Sequence, residues 1–341
     1  MSDKLASLPR KRFAHLPTPL EEMSRLRSAL SQMTDEGVPR LFIKRDDCTG
    51  LAFGGNKTRK LEFLIGEALA KGCDTIITAG AAQSNHARQT AAAAAAAGLD
   101  CVLVLFDTVP YQGRDYRRSG NLLLDDLLGA EVVLEPADAN PEQVFERVMR
   151  DLSAQGRKSF FVPVGGSNVI GTMGYVNAYL ELADQLDAED LQASHIVHAS
   201  SSGGTQAGLV TGQMLRPGGP AVLGINVYRD DTQAMANGVH ELAVQTAEFL
   251  GADIPPNEVV ALEGGYLGEG YGIPTEQMRR AVETLARLEG VLLDPVYSGK
   301  AMAGLIGLIL DGRMRADDTV VFLHTGGAPG LFAYGGEFSD R

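Results

Sequence analysis

The sequence predicts an α/β protein of two domains, and three observations carry that prediction. Short apolar runs alternate with stretches of helical spacing along most of the chain. Several of those runs end in glycine-rich turns bearing hydroxyl and amide side chains, the usual place for a ligand in such sheets. The 341 residues exceed what one core usually serves, and a 45% hydrophobic content is enough to fill two.

The first 23 residues interrupt every apolar run with charges and prolines, so they read as a structured opening segment rather than a secretory leader. A strand is expected over 41–45 and a helix over 57–71, where Leu61, Leu64, Ile65 and Leu69 recur at helical spacing. Residues 75–78 read as a strand that Gly80 breaks, 84–97 as a helix and 101–106 as a strand, together one βαβ unit. The alanine run over 91–97 suits a helix lying very close to a sheet. Strands over 131–134 and 160–164 flank a helix over 141–154, and another helix runs from 175 to 186. A second sheet is expected from strands over 196–200, 221–227, 258–262 and 319–324, separated by helices starting near Gln206, Asp231, Thr275 and Gly299. The expected division is a large domain of residues 1–52 and 165–341, and a small one of residues 53–164.

Composition excludes several classes. The net charge of −13 is spread along the chain, which opposes binding to nucleic acid, whose phosphates need basic stripes. Apolar runs such as 101–106 and 304–310 are too short to span a bilayer. Cys48, Cys73 and Cys101 show no CxxC spacing, which suits a reducing compartment, so the expected location is the cytoplasm. His195 and His198 stand three apart in a predicted strand and face opposite sides, so no metal is assigned. The pairs Asp46-Asp47 and Glu21-Glu22 read as solvated structural carboxylates. No GxGxxG follows the first strand, and no Walker-type lysine motif occurs.

The chemistry is concentrated in Gly54-Gly55-Asn56-Lys57, followed by Thr58-Arg59-Lys60. A lysine presented straight after a tight glycine turn, at a helix start, can form a Schiff base with an aldehyde cofactor while the next turn receives a phosphate. Gly-Gly-Asn is also a common turn, and Lys-x-x-Lys a common solvated helix start. Three further segments tip the balance: GAAQSNHARQT over 80–90, SSSGGTQAG over 200–208 and HTGGAP over 324–329. Each places small, hydroxyl or amide residues just ahead of a helix or bend. An anion-binding cavity for pyridoxal 5'-phosphate explains all four together.

The segment over 43–61 (IKRDDCTGLAFGGNKTRKL), with TAGAAQSNH, VPVGGSN, GYGIP, DPVYSGKAMAGL and HTGGAP, resembles the D-cysteine desulfhydrase and 1-aminocyclopropane-1-carboxylate deaminase family. That family is a branch of the tryptophan synthase β-like, fold type II pyridoxal phosphate enzymes, and the resemblance runs in order from about residue 9 to 332. It implies the two-domain architecture of that fold, with the cofactor in the cleft and a homodimer as the assembly. It implies that Lys57 is the Schiff-base lysine, that Lys60 lies near the cofactor phosphate, and that Ser202, Gly203, Gly204 and Thr205 form the phosphate cup. Ser84, Asn85 and His86 match the residues that hold the substrate carboxylate and the cofactor ring oxygen. Tyr271 and Tyr297 match tyrosines of the substrate pocket, and Lys57, Tyr297 and Ser84 are the expected catalytic groups.

One departure is informative. The aminocyclopropane deaminases carry a Glu after the pocket tyrosine, whereas Ser298 follows Tyr297 here, which weighs against opening a cyclopropane ring. Ser298 and Thr325 then remain as hydroxyl partners for the pyridine nitrogen, a gentler electron sink than a carboxylate partner gives. The expected reaction is α,β-elimination on a small amino acid, an alanine bearing a sulfur substituent, giving pyruvate, ammonia and a sulfur leaving group. The stretches CTGLAFGGNKTRKLEFL and DYRRSGNLLL (115–124) look closer to the L-cysteate sulfo-lyases, so release of sulfite from L-cysteate is the expectation, with Thr58, Arg117 or Arg118 as added donors to the sulfonate. The alternative is a D-cysteine desulfhydrase releasing sulfide. More remote are an aminocyclopropane-carboxylate deaminase and a non-catalytic, cofactor-binding regulatory protein.

Overall fold

The computed structural model describes residues 2–339, and its strands fall into two sheets. In chain order they are β1 (Leu20–Glu22), β2 (Arg40–Arg45), β3 (Thr75–Ala81), β4 (Asp100–Asp107), β5 (Glu131–Pro136), β6 (Ser159–Val162), β7 (His195–Ser200), β8 (Ala221–Asn226), β9 (Ala261–Glu263) and β10 (Thr319–His324). The larger sheet has the order β1-β2-β10-β7-β8-β9 and the smaller one β5-β4-β3-β6. Only β1 runs antiparallel, against β2; the other pairings are parallel. Helices cover the faces, as parallel strands require.

The patterns of the strands explain their places. Every residue of β10 is buried, so its run TVVFLH is that of an inner strand, and Val321 and Phe322 pair with β2 on one side and β7 on the other. In the small sheet, helix Asn85–Ala97 is capped by Ser84, whose hydroxyl accepts the Ala87 N–H at 3.1 Å, and ends on Gly98 in the left-handed region. Its alanines from 91 to 94 are at most 3% exposed, and this small-residue face packs into the apolar core over β3 and β4.

Several elements differ from the expectations. β1, helix Ser24–Leu30 and helix Asn121–Leu127 lie where no element is predicted. The strand expected over 258–262 is shorter and later, because a 3-10 turn occupies Asn257–Val259 and β9 begins at Ala261. β6 stops at Val162, since Pro163 has no N–H to give a ladder.

Asp46 is not solvated. It is fully buried and takes both arms of Arg59, Nε on Oδ2 at 2.8 Å and Nη2 on Oδ1 at 2.9 Å. Arg59 also holds Glu181, to which Lys44 Nζ donates at 2.6 Å, and the Tyr175 hydroxyl donates to Asp46 at 2.6 Å. This cluster joins β2, the helix that begins at Lys57 and helix Val169–Ala188. Glu21 and Glu22 make surface pairs with Arg45 and Arg40.

No described helix is long and apolar enough to cross a membrane. Among the described residues no group of His, Cys, Asp and Glu is arranged to hold a metal.

Candidate active site

The carboxyl ends of both sheets open onto one cavity of about 720 Å³. Helix Lys57–Ala70 starts at its wall, after a turn in which Gly54 and Gly55 have φ of +65° and +125°. A Cβ at Gly54 would lie 2.1 Å from the Asp47 carbonyl oxygen, so only glycine brings the chain this close. Asn56 secures the turn from the far side: its N–H donates to the Thr325 carbonyl and its Nδ2 to Thr205 Oγ1, both at 3.0 Å.

Lys57 Nζ donates to Asn56 Oδ1 at 3.0 Å. Burial lowers its pKa from 10.5 to about 8, with Asp294 opposing the shift and Arg88 adding to it. A neutral amine is thus accessible near physiological pH, as a nucleophilic lysine requires.

Ser84, Asn85 and His86 meet at the N-terminus of helix Asn85–Ala97 and line the same cavity. The Asn85 Oδ1 accepts from Asn121 Nδ2 at 3.0 Å, which leaves its amide N–H groups as the end to donate. The His86 ring is committed differently. Thr78 donates its hydroxyl proton to the Val162 carbonyl at 2.7 Å, so at 2.8 Å it accepts from His86 Nε2, and Nδ1 carries a bare lone pair with no partner. Burial, with Lys57 and Lys60 nearby, holds its pKa well below the usual value. The His86 ring therefore has no proton to offer a carboxylate; Ser84, Asn85 and the free N–H groups of the helix end do.

The loop after β7 brings a second helix start to the cavity. Gly203, at φ +82°, caps helix Gly204–Leu215, and Ser202, Gly203 and Thr205 line the cavity. Ser167 Oγ bridges the loop, donating to Ser202 Oγ at 2.9 Å and accepting the Gly204 N–H at 3.3 Å. Gly204 and Lys60 stand just behind this wall: a Cβ on Gly204 would lie 3.0 Å from Lys60 Nζ, which itself donates to the Gly165 carbonyl at 3.0 Å. Burial lowers the Lys60 pKa far below 10.5, and Lys57 pushes in the same direction.

Tyr271 and Tyr297 complete the wall with their hydroxyls hydrogen-bonded to each other. Burial raises the Tyr271 pKa to about 12 and the Tyr297 pKa further. Thr325 lines the cavity, but Ser298 does not. The Ser298 hydroxyl donates to Asp294 Oδ1 at 2.7 Å, and the same carboxylate takes the backbone N–H groups of Val296, Tyr297 and Ser298. Ser298 is thus a lock on the helix start, and of the two expected hydroxyls only Thr325 faces the site.

Asn56, Asp294 and Arg88 belong to this arrangement and were not anticipated. Asn56 stands next to the lysine in the sequence, and Asp294 stands just ahead of the helix whose first N–H groups it accepts, a local signal of an acidic residue at a helix start; Arg88 acts through contacts 34 and 36 residues away and leaves no local signal. Arg117 and Arg118 are exposed and outside the cavity, and Thr58 is buried behind it.

No Asp or Glu lines the cavity, although the chain carries a net charge of −13. With a desolvated lysine and two sets of helix-end N–H groups, this donor set fits an aldehyde that carries a phosphate and an amino acid that carries a carboxylate.

Residues 11–326 match the family described as pyridoxal-phosphate dependent enzyme, and the chain belongs to it. It is therefore a pyridoxal phosphate enzyme of the fold type II architecture. The chain is 45% identical over 336 residues to the D-cysteine desulfhydrase of Serratia proteamaculans (strain 568), across 98% of each protein. It is 44% identical over 331 residues to the D-cysteine desulfhydrase of Klebsiella pneumoniae (strain 342), across 97% of each. A solved structure described as an ACC deaminase homologue superposes with a TM-score of 0.86 at 36% identity, over 98% of this chain and 97% of that one.

Proposed function

We propose that the chain is a D-cysteine desulfhydrase, a carbon–sulfur lyase that converts D-cysteine to sulfide, pyruvate and ammonia. Two full-length relatives carry that name. The observation that carries the reading is the charge of the cavity's inner end, which offers a carboxylate clamp and Lys57 but no further cation for a sulfonate. The groups expected to serve a sulfonate lie elsewhere: Thr58 is bonded to Gln89, Arg117 pairs with Asp107 at 2.9 Å on the surface, and Arg118 is exposed. Arg229, the permanently charged residue of the lining, is exposed and stacked on Tyr228. L-Cysteate is accordingly set behind D-cysteine.

Lys57 would hold the cofactor aldehyde, Ser202 to Thr205 with Lys60 the phosphate, Asn85 the ring oxygen and Thr325 the ring nitrogen. When bound, pyridoxal phosphate supplies the electron sink that acidifies the substrate Cα–H. Ser84 and Asn85 orient the substrate carboxylate. Lys57 Nζ takes the Cα proton, for which its lowered pKa suits it. The hydroxyl pair of Tyr271 and Tyr297 delivers a proton to the departing sulfur.

The reading includes a homodimer, on the resemblance alone, and residence in the cytoplasm, which three free cysteines suit. It also takes residues 53–164 as a small domain against 1–52 with 165–341, a division supported by the membership of the two sheets. The test is incubation of the purified holoenzyme with D-cysteine, L-cysteine, L-cysteate and aminocyclopropane carboxylate. Sulfide and pyruvate from D-cysteine are expected; sulfite from L-cysteate with no sulfide from D-cysteine would overturn the reading.

A further inference from the structure

Tyr271 stands on a segment with little stiffness of its own. Residues 264–272 read GGYLGEGYG, and Gly265, Gly268, Gly270 and Gly272 have φ of +87°, +73°, +159° and +75°. Glycine takes such angles without strain but loses the most freedom when it is ordered, so a segment this rich in it needs fixing from outside.

Two buried side chains do so from distant parts of the chain. Lys300, on helix Ser298–Leu310, is fully buried, and its Nζ donates to the Leu267 carbonyl at 2.5 Å and the Gly270 carbonyl at 3.1 Å. Tyr334, also buried, donates its hydroxyl to the Gly272 carbonyl at 2.7 Å. The residues directly before and after Tyr271 are therefore both anchored. The helix that carries Lys300 also fixes the partner hydroxyl: Tyr297 immediately precedes it, with its N–H held by Asp294 at 2.9 Å, and Lys300 follows three residues later, close to one turn on.

A lysine is a poor filler for an apolar interior, because its charge resists burial. Burial lowers the Lys300 pKa to about 8 against the attraction of Asp294, and with or without the extra proton the amine keeps two N–H groups for two carbonyls. Neither Lys300 nor Tyr334 lines the cavity, so neither is placed to touch a substrate.

We propose that Lys300 and Tyr334 are positioning residues: by holding the carbonyls on either side of Tyr271 they keep its hydroxyl against that of Tyr297, and so set proton delivery to the departing sulfur. The proposal rests on the carbon–sulfur elimination argued above, in which this pair is the donor. As the Cβ–S bond breaks with its electron pair on sulfur, the sulfur takes a proton from the pair, and water restores it.

Lys300→Met keeps an unbranched, apolar stem and removes the donors; Tyr334→Phe removes one hydroxyl. The holoenzymes of the wild type, both variants, Tyr271→Phe and the two double variants with Tyr271→Phe are assayed for pyruvate from D-cysteine and from β-chloro-D-alanine. Lys300→Met is expected to lower kcat for D-cysteine about tenfold and Tyr334→Phe about fivefold, with KM within about threefold. Turnover of β-chloro-D-alanine, whose leaving group needs no proton, should stay within about threefold of the wild type. Each double variant should lose no more than Tyr271→Phe alone, since the anchors act through that hydroxyl.

A kcat on D-cysteine unchanged in both variants overturns the proposal. So does an equal loss on β-chloro-D-alanine, or a double variant in which the two single losses multiply. Should Lys300→Met fail to fold, Tyr334→Phe decides by the same readouts. Absence of sulfide from wild type and D-cysteine strikes the function reading and carries the proposal with it, whereas the failures above, seen with an active wild type, strike the proposal alone.

Discussion

Arg88 and Asp125 are both buried, yet they do not satisfy each other. Arg88 donates to the carbonyls of Ala52 and Gly54, while neither carboxylate oxygen of Asp125 has a hydrogen-bond partner. The guanidinium is thus turned toward a turn whose residues Ala52 and Phe53 have φ of 42° and 68°, just ahead of Lys57. A costly orphan carboxylate accompanies a well-held active-site loop.

The orphan sets a pH dependence of stability. Burial raises the Asp125 pKa from 3.8 to about 7, against the attraction of Arg88. Between those values the folded state holds a proton that the unfolded state has lost, so this group's contribution to stability falls as pH rises. Asp125→Asn is expected to stabilise the protein by about 1–3 kcal/mol at pH 8 and by nearly nothing at pH 4. Urea unfolding at the two pH values checks both the sign and the closing of the gap.

Lys57 gives the opposite slope. Its pKa is about 8 in the folded protein against 10.5 for an ordinary lysine, so between these values the unfolded state binds more protons and stability rises with pH. Lys57→Met is expected to abolish pyruvate release. In the cofactor-free protein it should raise stability at pH 7 by up to about 3 kcal/mol, a gain that shrinks above pH 8. Denaturation of both apoproteins across that range measures it.

The ion cluster around Arg59 predicts a steep loss. Arg59→Met leaves the Asp46 carboxylate buried without its main partner and the half-buried Glu181 with Lys44 alone, at a cost of about 3–5 kcal/mol. Acid should weaken the wild type through the same cluster. The Glu181 pKa is about 2 because hydrogen bonding and charge from Arg59 and Lys44 outweigh its burial, so its stabilisation is lost as pH falls from 4.5 toward that value. Calorimetry of both proteins at neutral and acid pH is the measurement.

Tyr297→Phe removes one hydroxyl of the pair at the sulfur side of the site. A proton donor to the leaving group contributes about 10²–10⁴ in rate, so kcat is expected to fall by about that factor while KM changes little. Tyr271→Phe should give a smaller loss, because Tyr297 retains its hydroxyl. β-Chloro-D-alanine, whose leaving group needs no proton, should largely rescue both variants in a pyruvate assay.

Much of this was legible in the sequence because it is local. Helix Lys57–Ala70, β3 and helix Asn85–Ala97 each follow from spacing and punctuation within a few residues, and the glycine turn announces Lys57. Helix Asn121–Leu127 was not, since Leu123 and Leu127 remain exposed and blur its face. Arg59 resembled the solvated start of a helix. Its burial depends on Asp46 and Glu181, which lie 13 and 122 residues away in the chain. Ser298 was legible as a hydroxyl but not as one already bound, because the backbone turn at the helix start is what brings the Asp294 carboxylate onto it and onto three N–H groups.

Asn56 ties the reactive amine to a second sheet. Its bonds to Thr325 and Thr205 register Lys57 to the loops that follow β10 and β7, although Ser84 and Asn85 ride on the other sheet. The Thr58 N–H and the Gly54 carbonyl are meanwhile bound by Gln89 and Arg88 of the helix that begins at Asn85, so the attachment point is gripped from both sides. A tilt of the four-stranded sheet would therefore pull on the lysine as well as on the carboxylate clamp, and the two cannot be loaded independently.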